Sequence, residues 1–374
     1  MIAMTLDAVV MGVRGVDMEK LANDIGIGLV MNRACNLHCK YCMQRKLGMK
    51  MADYEKPDKR VDDVIRFIQE IADARTTDIP LFISFYGGEP LMSAAEIRQI
   101  LSSLSHKEKF HFEITTNGKL LTRDIVNLLN DNDVHVMISW DGKDSSAQRG
   151  FDVIKEKREL IMQLKHLCFS SVVCGGSSVF DRVKEISAIE EEYYGRCGRH
   201  TDKNAIYPVK GESEEKSYRD KDFRSDLQKI FTKIGSGKMS HVEWEYASHF
   251  VKAAKDFSEG RKWQPSPTSC AMGTMIAVAM DGTVNGCINA NDNIATIDMS
   301  LEEIVEKVKT LNRTALFEKC TDCAYAVLRG TTPACRLDAK LNPAEVCRHC
   351  KVQGDILLEE IAKHFGGKAD GKSI

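Results

Sequence analysis

The sequence predicts an α/β fold in which six strands form a partial, TIM-like (β/α)6 barrel, followed by a small cysteine-rich domain. From residue 26 to about 235, short β-rich apolar runs alternate with amphipathic helical patterns, which is typical of a parallel sheet covered by helices. After about residue 236 this alternation stops and the cysteines become dense. The predicted divisions are an N-terminal extension at 1–26, the partial barrel at 27–235 and the cysteine-rich part with a frayed tail at 236–374.

The strands are predicted where apolar, β-branched or aromatic residues run together between turn residues. These runs are Ile27–Met31, Leu81–Tyr86, His111–Thr115, His135–Ser139, Ser170–Cys174 and Ala205–Tyr207. Helices are predicted where apolar residues recur on one face. They begin near Val61 and Ile97, follow a cap at Thr122, cover 181–189 and 222–234, and include one opened by a Ser300–Glu303 capping box. A hairpin with an Asp281–Gly282 turn is predicted inside 276–284.

The composition and charge of the chain exclude several classes of function. Its 374 residues carry 52 Lys plus Arg against 54 Asp plus Glu, a formal net charge of −2. This balance gives no electrostatic reason to expect nucleic acid or an anionic membrane as a partner. Asp7 interrupts the only candidate signal-peptide stretch, and no run approaches the roughly 20 apolar residues of a membrane span. The sequence therefore predicts a cytoplasmic protein with neither partner.

Thirteen cysteines are unusual for such a chain, because disulfides are rare in the reducing cytosol. Three of them lie within 35–42 and seven within 270–350. Clustered thiols favour metal ligation, whereas the separate Cys168, Cys174 and Cys197 are interpreted as small buried thiols.

The first cluster, Cys35, Cys39 and Cys42, directly follows the first predicted strand. Ligands of parallel folds bind at the carboxyl edge of the sheet, where this loop is expected to lie. Three thiolates on one loop can hold three irons of a [4Fe–4S] cluster and leave the fourth iron open to another molecule. His38 offers an alternative fourth ligand, which would instead close a zinc site.

The segment CNLHCKYC resembles the C-x-x-x-C-x-aromatic-C signature of the radical S-adenosylmethionine (SAM) superfamily, with Tyr41 at the aromatic position. The resemblance implies a partial barrel and a [4Fe–4S] cluster on the three cysteines. It also implies that SAM chelates the open iron and is cleaved reductively to a 5′-deoxyadenosyl radical, which abstracts hydrogen from a substrate.

Three further segments, each at the end of a predicted strand, resemble the family's SAM-binding elements. Gly87-Gly88-Glu89-Pro90 resembles the element that receives the methionine amino group. Polar residues at the next two strand ends would contact the ribose and methionine moieties, and an arginine further on would reach the carboxylate. The SAM-binding residues that the resemblance implies are Tyr41, Gly87, Gly88, Glu89, Thr116, Asn117, Ser139, Asp141 and Arg149.

The seven later cysteines exceed one tetrahedral site and predict a second set of metal ligands. The spacing from Cys270 through Gly282 to Cys287 resembles the opening of the SPASM extension, which houses auxiliary iron–sulfur clusters. The extension's later CxxC-x5-C-x3-C pattern is missing. We group Cys320, Cys323, Cys347 and Cys350 on one auxiliary cluster, and Cys270, Cys287 and Cys335 on a second with an open iron. A single auxiliary cluster, as in a twitch-like arrangement, or a zinc site is the alternative.

The resemblance implies a peptide-modifying enzyme, and maturation of a ribosomally made peptide by crosslink, thioether or epimerisation is the favoured interpretation. An anaerobic sulfatase-maturating enzyme, which forms formylglycine, is the alternative, but Ile288 replaces the aspartate expected after Cys287. A non-catalytic iron–sulfur or zinc scaffold is the alternative of another class. Expected partners are a peptide or protein substrate and a reductant such as flavodoxin or ferredoxin. Either a separate leader-peptide-binding protein or direct capture of a short substrate by the barrel mouth and C-terminal part is also expected, because only about 26 residues precede the first strand.

Overall fold

The computed structural model describes residues 18–46, 60–208, 218–263, 273–312, 319–329 and 343–365. Its centre is one nine-stranded sheet with the strand order β6-β5-β4-β3-β2-β1-β7-β8-β9, in which strands β1 to β7 are parallel. The strands are β1 Gly26–Val30, β2 Leu81–Tyr86, β3 Phe110–Thr116, β4 His135–Ser139, β5 Leu167–Val173, β6 Ala205–Pro208, β7 Met275–Ala279, β8 Thr283–Asn285 and β9 Ala295–Thr296.

Helices connect successive parallel strands and cover one face of the sheet. They are α1 Met18–Asp24, α2 Met43–Lys46, α3 Val61–Ala74, α4 Ala94–Ser103, α5 Arg123–Asp131, α6 Ser145–Arg149, α7 Val153–Ile161, α8 Val179–Cys197, α9 Asp220–Ser236, α10 His241–Ser258, α11 Leu301–Asn312 and α12 Pro343–Phe365. None of the helices in the described ranges is long and apolar enough to cross a membrane.

The predicted α/β fold is confirmed, and two strands match their predicted bounds. These are β2 and β4, whereas β5 begins three residues before the predicted Ser170 because Leu167, Cys168 and Phe169 are also buried. In β3 every second residue is buried, which places Phe112 and Ile114 against the helices and leaves Glu113 on the opposite face.

The predicted helix starts at Thr122 and Ser300 are confirmed by side-chain capping. The Thr122 hydroxyl accepts a hydrogen bond from the backbone N–H of Ile125, 3.3 Å away. Ser300 and Glu303 form the predicted capping box, with each side chain bonded to the backbone of the other residue. These bonds satisfy backbone donors that a helix start otherwise leaves unpaired.

Three substantial helices, α7, α10 and α12, were not predicted. Helices α9, α10 and α12 pack into a second apolar cluster around Leu227, Phe231 and Leu357, separate from the core of the sheet. Few apolar residues of α10 are buried, among them Val242, Ala247 and Ala253. This sparse stripe is too weak to stand out in the sequence.

The β7–β8 hairpin, predicted inside the cysteine-rich part, continues the sheet of the barrel. Strand β7 pairs in parallel with β1, so that Gly28 lies opposite Ala277. Strand β8 returns antiparallel to β7, and the chain after it contacts the loop that follows β1 through Arg33, which donates to the carbonyls of Ile288 and Ala290. The proposed boundary between 235 and 236 remains a prediction.

Candidate active site

The loop that carries Cys35, Cys39 and Cys42 leaves β1 at the carboxyl edge of the sheet and ends in α2. All three thiols are half-buried. The backbone N–H of Leu37 donates to Cys35 Sγ at 3.4 Å, and the N–H of Cys42 donates to the carbonyl of Cys39 at 3.2 Å. Burial raises the pKa of Cys35 to about 11 and also raises the pKa of Cys39. The loop thus holds three half-buried thiols at the carboxyl edge of the sheet.

The Gly87–Gly88 pair lies directly against this loop. The N–H of Gly88 donates to Asn32 O at 3.0 Å, and the N–H of Glu89 donates to Ala34 O at 2.8 Å. A Cβ atom at Gly87 would lie 2.3 Å from Asn32 O, and one at Gly88 would lie 2.0 Å from Ala34 O. Glycine is therefore required at both positions, because any side chain would push the cysteine loop away.

The Glu89 carboxylate joins the ends of β2 and β3. It is 1% exposed and accepts hydrogen bonds from Thr116 Oγ1 at 2.6 Å, Asn117 N at 2.8 Å and Leu91 N at 3.1 Å. Burial raises the pKa of Glu89, and these three donors oppose that rise. From the sequence, Glu89 is expected to accept a hydrogen bond from the methionine amino group of SAM. In the structure the carboxylate is bonded to donors of the chain itself and fixes the two strand ends.

Asn117 connects β3 to the cysteine loop. Its Nδ2 donates to Asn36 Oδ1 at 2.8 Å and lies 3.9 Å from Cys35 Sγ. Its Oδ1 accepts from the N–H of Lys119 at 2.9 Å, which fixes the orientation of the amide. Asn117 is therefore held with its donor end toward Cys35.

Asp141, just past β4, is hydrogen-bonded to residues of three other segments of the chain. Its carboxylate is fully buried and accepts two hydrogen bonds from Arg149, at 2.8 Å and 3.0 Å, and one from the N–H of Val172 at 2.8 Å. The hydroxyl of Tyr41, in the cysteine loop, also donates to this carboxylate. The guanidinium of Arg149 lies over the Tyr41 ring, 5.4 Å from its centre.

Charge and burial have opposite effects on the pKa of Arg149. Burial lowers the pKa of Arg149, but the charge of Asp141 outweighs it and holds the pKa above its usual value. Burial also raises the pKa of Tyr41, so its hydroxyl keeps its proton and acts as a donor. The expected partner of Arg149 was a SAM carboxylate, and in the structure its guanidinium is paired with Asp141. Ser139, at the end of β4, is half-buried and follows the same edge.

Buried polar atoms without a partner concentrate in the cysteine loop. Asn32 Oδ1, Asn36 Nδ2 and Gln44 Oε1 are all buried, and none has a hydrogen-bond partner among the described residues. Unpaired buried polar atoms are rare in folded proteins, because each costs about 1–3 kcal/mol. Three of them within thirteen residues of chain indicate a place where a polar ligand completes the bonding. Sequence reasoning missed these residues, and only their position beside the cysteines could have indicated them.

Arg33 joins the cysteine loop to the segment that carries Cys287. Its Nη1 donates to the carbonyl of Ile288 at 2.8 Å, and its Nη2 donates to the carbonyl of Ala290. Burial lowers the pKa of Arg33, and the neighbouring Cys287 opposes this. Ile288 also packs on β1, because a Cβ at Gly28 would lie 2.4 Å from its Cγ2. The segment that carries Cys287 is thereby joined to the cysteine loop, a relation that sequence reasoning also missed.

The remaining cysteines lie farther along the chain. Cys320 is buried against Ala326, with Trp263 and Cys323 packed beside it. Cys347 and Cys350 are half-buried residues in the first part of α12. Cys270 and Cys335 fall outside the described residues.

Comparison with known proteins agrees with this geometry. The sequence model of the radical SAM superfamily matches residues 29–168. The radical SAM cyclopropyl synthase TigE of Paramaledivibacter caminithermalis is 29% identical over 164 residues, which are 39% of this chain and 35% of TigE. The match thus spans about a third of the length of that relative.

Solved structures show the same fold over nearly the whole chain. Native anSMEcpe with bound AdoMet superposes with a TM-score of 0.62 at 20% identity, covering 91% of this chain and 100% of the other. Native anSMEcpe with bound AdoMet and Cp18Cys peptide gives a TM-score of 0.62 at 18% identity, covering 92% and 99% of the two chains. The partial barrel and the arrangement that follows it are therefore shared.

A radical SAM domain implies a [4Fe–4S] cluster and SAM, and the residues present fit these groups. The loop supplies three thiols, and two glycines allow the end of β2 to lie directly against it. Three buried polar atoms of the loop lack partners among the described residues. Residues 29–168 therefore match the radical SAM superfamily model, and this donor set and the shared fold agree with that match.

Proposed function

We propose that this chain modifies a ribosomally made peptide by radical chemistry, introducing a crosslink, a thioether or an epimerised residue. The observation that carries the proposal is the contact between two cysteine-bearing segments, in which Arg33 of the first loop donates to the carbonyls of Ile288 and Ala290, which follow Cys287. When bound, the cluster and SAM supply a 5′-deoxyadenosyl radical that abstracts hydrogen from carbon.

In this proposal Cys35, Cys39 and Cys42 bind the first cluster. Asn117 Nδ2 and the N–H of Leu37 approach Cys35 Sγ and stabilise negative charge on that sulfur. These donors belong to β3 and to the loop itself, so they hold the sulfur in place from two sides. Burial raises the pKa of the Cys35 thiol, so binding of the metal would have to release its proton to form the ligating thiolate.

The proposed SAM-binding residues divide into two groups by what their side chains contact. Gly87 and Gly88 keep backbone against the loop, and Glu89 fixes the ends of β2 and β3. The second group, built on Asp141, holds the loop to β4 and β5 through Tyr41 and Arg149. The proposed set is Tyr41, Gly87, Gly88, Glu89, Thr116, Asn117, Ser139, Asp141 and Arg149.

We assign the first auxiliary cluster to Cys320, Cys323, Cys347 and Cys350. On α12, Cys347, Cys350 and Gly354 share one face, since residues three and four apart are neighbours on a helix. A Cβ at Gly354 would lie 2.6 Å from a ring carbon of Tyr325, and the Tyr325 hydroxyl donates to Asp355 at 2.6 Å. This contact brings the face of α12 that carries two cysteines toward the turn after Cys323, which supports the grouping.

Cys287 is assigned, with Cys270 and Cys335, to a second auxiliary cluster that has an open iron. Burial raises the pKa of Tyr86, at the end of β2, to about 12, and negative charge on Cys287 or Cys42 would act in the same direction, since both cysteines lie near its hydroxyl. A substrate bound at this edge would therefore lie near both cysteine-bearing segments. A cluster beside the substrate is suited to accepting an electron after hydrogen abstraction or to binding the substrate directly.

A peptide is the favoured substrate because a structure with the same fold was solved with AdoMet and the Cp18Cys peptide bound. The similar TigE is named as a cyclopropyl synthase. The proposal also requires a reductant such as flavodoxin or ferredoxin, with the substrate recognised either by a separate leader-peptide-binding protein or directly by the barrel mouth and C-terminal part. Formylglycine formation is less favoured, since Ile288 stands where a carboxylate base is expected and packs against Gly28.

The test uses anaerobically reconstituted protein with dithionite, SAM and the synthetic product of any short Cys- or aromatic-rich reading frame beside the gene. Mass spectrometry in D2O distinguishes the products. A crosslink or thioether lowers the peptide mass, whereas epimerisation incorporates deuterium without other change. The Cys347→Ala variant should lose iron and peptide modification, while Cys197→Ala, whose half-buried thiol lies on α8, should retain both. Release of 5′-deoxyadenosine with every such peptide left unmodified would overturn the proposed substrate class.

A further inference from the structure

Three histidines and an aspartate form a row at the opposite edge of the sheet from the cysteine loop. His111 lies near the start of β3, His135 is the first residue of β4, His166 precedes β5, and Asp202 precedes β6. Because the strands are parallel, their starting ends meet at one edge. Residues four apart on β4, such as His135 and Ser139, lie about 13 Å apart along the strand, so this row is separate from the SAM-binding edge.

The imidazole rings of the row stack across adjacent strands. The ring centres of His135 and His166 are 4.1 Å apart, with an angle of 16° between the planes. The His111 ring lies 4.4 Å from that of His135. On the other side, His135 Nδ1 and Asp202 Oδ2 share a hydrogen bond of 2.6 Å. The backbone N–H of Asp202 donates to the carbonyl of Leu167 at 2.7 Å, which holds this aspartate beside β5.

One potential ligand atom each from His135, His166 and Asp202 lie within 4.8 Å of one another. In a tetrahedral zinc site with bonds of about 2.0–2.1 Å, neighbouring ligand atoms are about 3.3 Å apart. Binding of one ion would require side-chain rotations that separate the stacked rings of His135 and His166 and replace the hydrogen bond between His135 and Asp202. The side chains are 26%, 26% and 35% exposed, respectively, so an ion can enter from solvent.

We propose that His135, His166 and Asp202 bind a divalent transition-metal ion of the zinc class, with a water in the remaining position. Two imidazoles and one carboxylate are the donors that such ions take in proteins. The ion would connect β4, β5 and β6 at the start of each strand. The site does not depend on the proposed peptide chemistry, because none of its residues contributes to the cysteine-bearing edge.

The chain contains a matched comparison for this arrangement. His200 and His241 also stack, with ring centres 4.1 Å apart and an angle of 18°, and His200 is hydrogen-bonded to Glu190. This second pair does not bring three ligand atoms together among the residues that the structure describes. A substitution in this second pair changes a stacked histidine without removing a proposed metal ligand. It therefore serves as a control for effects of stacking and of a histidine–carboxylate hydrogen bond.

The experiment dialyses the cluster-loaded full-length protein anaerobically against buffered free Zn²⁺ and measures zinc and iron per chain by elemental analysis. His166→Phe keeps a ring for stacking but removes a ligand nitrogen, and His241→Phe is the matched change in the second pair. Wild type and His241→Phe should hold about one more zinc per chain than His166→Phe, with iron equal in all three. Loss of a direct ligand should weaken zinc binding by more than the roughly 10 to 100-fold that an outer-shell partner costs.

Equal zinc in wild type and His166→Phe would overturn the proposal. If His166→Phe also loses iron, the decision passes to wild-type crystals soaked in Zn²⁺ and measured at the zinc absorption edge. An anomalous peak among His135, His166 and Asp202 supports the site, and the absence of a peak there overturns it.

Discussion

Asp141 and Arg149 form a buried ion pair joined by two hydrogen bonds, of 2.8 Å and 3.0 Å, beside the cysteine loop. Because Tyr41 donates to the same carboxylate, the pair connects the loop to the end of β4. Arg149 is only 8% exposed, so its charge depends on Asp141 for compensation. This relation leads to the first prediction.

Asp141→Ala should lower the free energy of unfolding by about 3–5 kcal/mol, since it leaves the Arg149 charge buried and unpaired. Urea unfolding of the cluster-free protein measures this. Glu159→Ala breaks an ion pair with Arg196 on the surface, and such exposed pairs contribute little. Equal losses in the two variants would contradict the account of the Asp141 group.

Gly88→Ala should abolish iron binding by the cysteine loop, because the added Cβ would lie 2.0 Å from the carbonyl oxygen of Ala34. The loop must shift to relieve this contact. Iron and sulfide analysis after anaerobic reconstitution measures the loss. The control is Gly195→Ala on α8, where a Cβ meets nothing within 4 Å and the change should stabilise by about 0.5–1 kcal/mol. Full iron content in Gly88→Ala would show that the close approach does not matter.

Glu89→Gln should change how stability depends on pH. The pKa of Glu89 is raised by burial above its ordinary value, so between those two pKa values the folded chain binds more protons than the unfolded chain. Wild-type stability therefore falls as pH rises through this range, and the glutamine variant lacks that fall.

The measured quantity is the difference in free energy of unfolding between Glu89→Gln and wild type, followed as pH rises above the ordinary pKa of a glutamic acid. It should shift in favour of the variant as pH rises. Glu159→Gln is the control, because its carboxylate has a pKa below the ordinary value and titrates outside this range. A shift toward wild type with rising pH would contradict the assignment.

Arg33→Met should loosen the segment from 286 to 293, since the carbonyls of Ile288 and Ala290 lose their donor. Leaving buried acceptors unpaired costs about 1–3 kcal/mol each. Hydrogen exchange measured by mass spectrometry should show faster exchange in this segment. Arg66→Met, which removes an exposed partner of Asp63, should leave the segment unchanged. Unchanged exchange in Arg33→Met would show that Arg33 does not hold the two segments together.

The sequence was sufficient to predict the fold where local pattern and burial agree. Strand β2 lies between Pro80 and the glycine pair, and β4 ends in a polar run, so both bounds were predicted. Helix α12 was missed because the Cys347–Cys350 spacing was read as a metal motif and not as helix. Two cysteines three residues apart are compatible both with a metal-binding motif and with one face of a helix.

The contacts that build the site are less accessible to sequence reasoning. Tyr41 and Asp141 are separated by 100 residues, and the position of Arg33 against Ile288 spans 255. Such pairs depend on strand order and register, which hydrophobic periodicity does not determine. The same limit applies to His135 and His166, which become neighbours only once β4 and β5 are paired in register.

The central claim is that Cys35, Cys39 and Cys42 bind a cluster with one open iron at which SAM is cleaved. Quantifying 5′-deoxyadenosine tests it most directly, in anaerobic protein given dithionite and SAM. Wild type and Cys197→Ala should form it, and the variant with all three loop cysteines replaced by alanine should form none while keeping its auxiliary iron. Protein that is colourless, contains zinc in place of iron and sulfide, and forms no 5′-deoxyadenosine would contradict the claim.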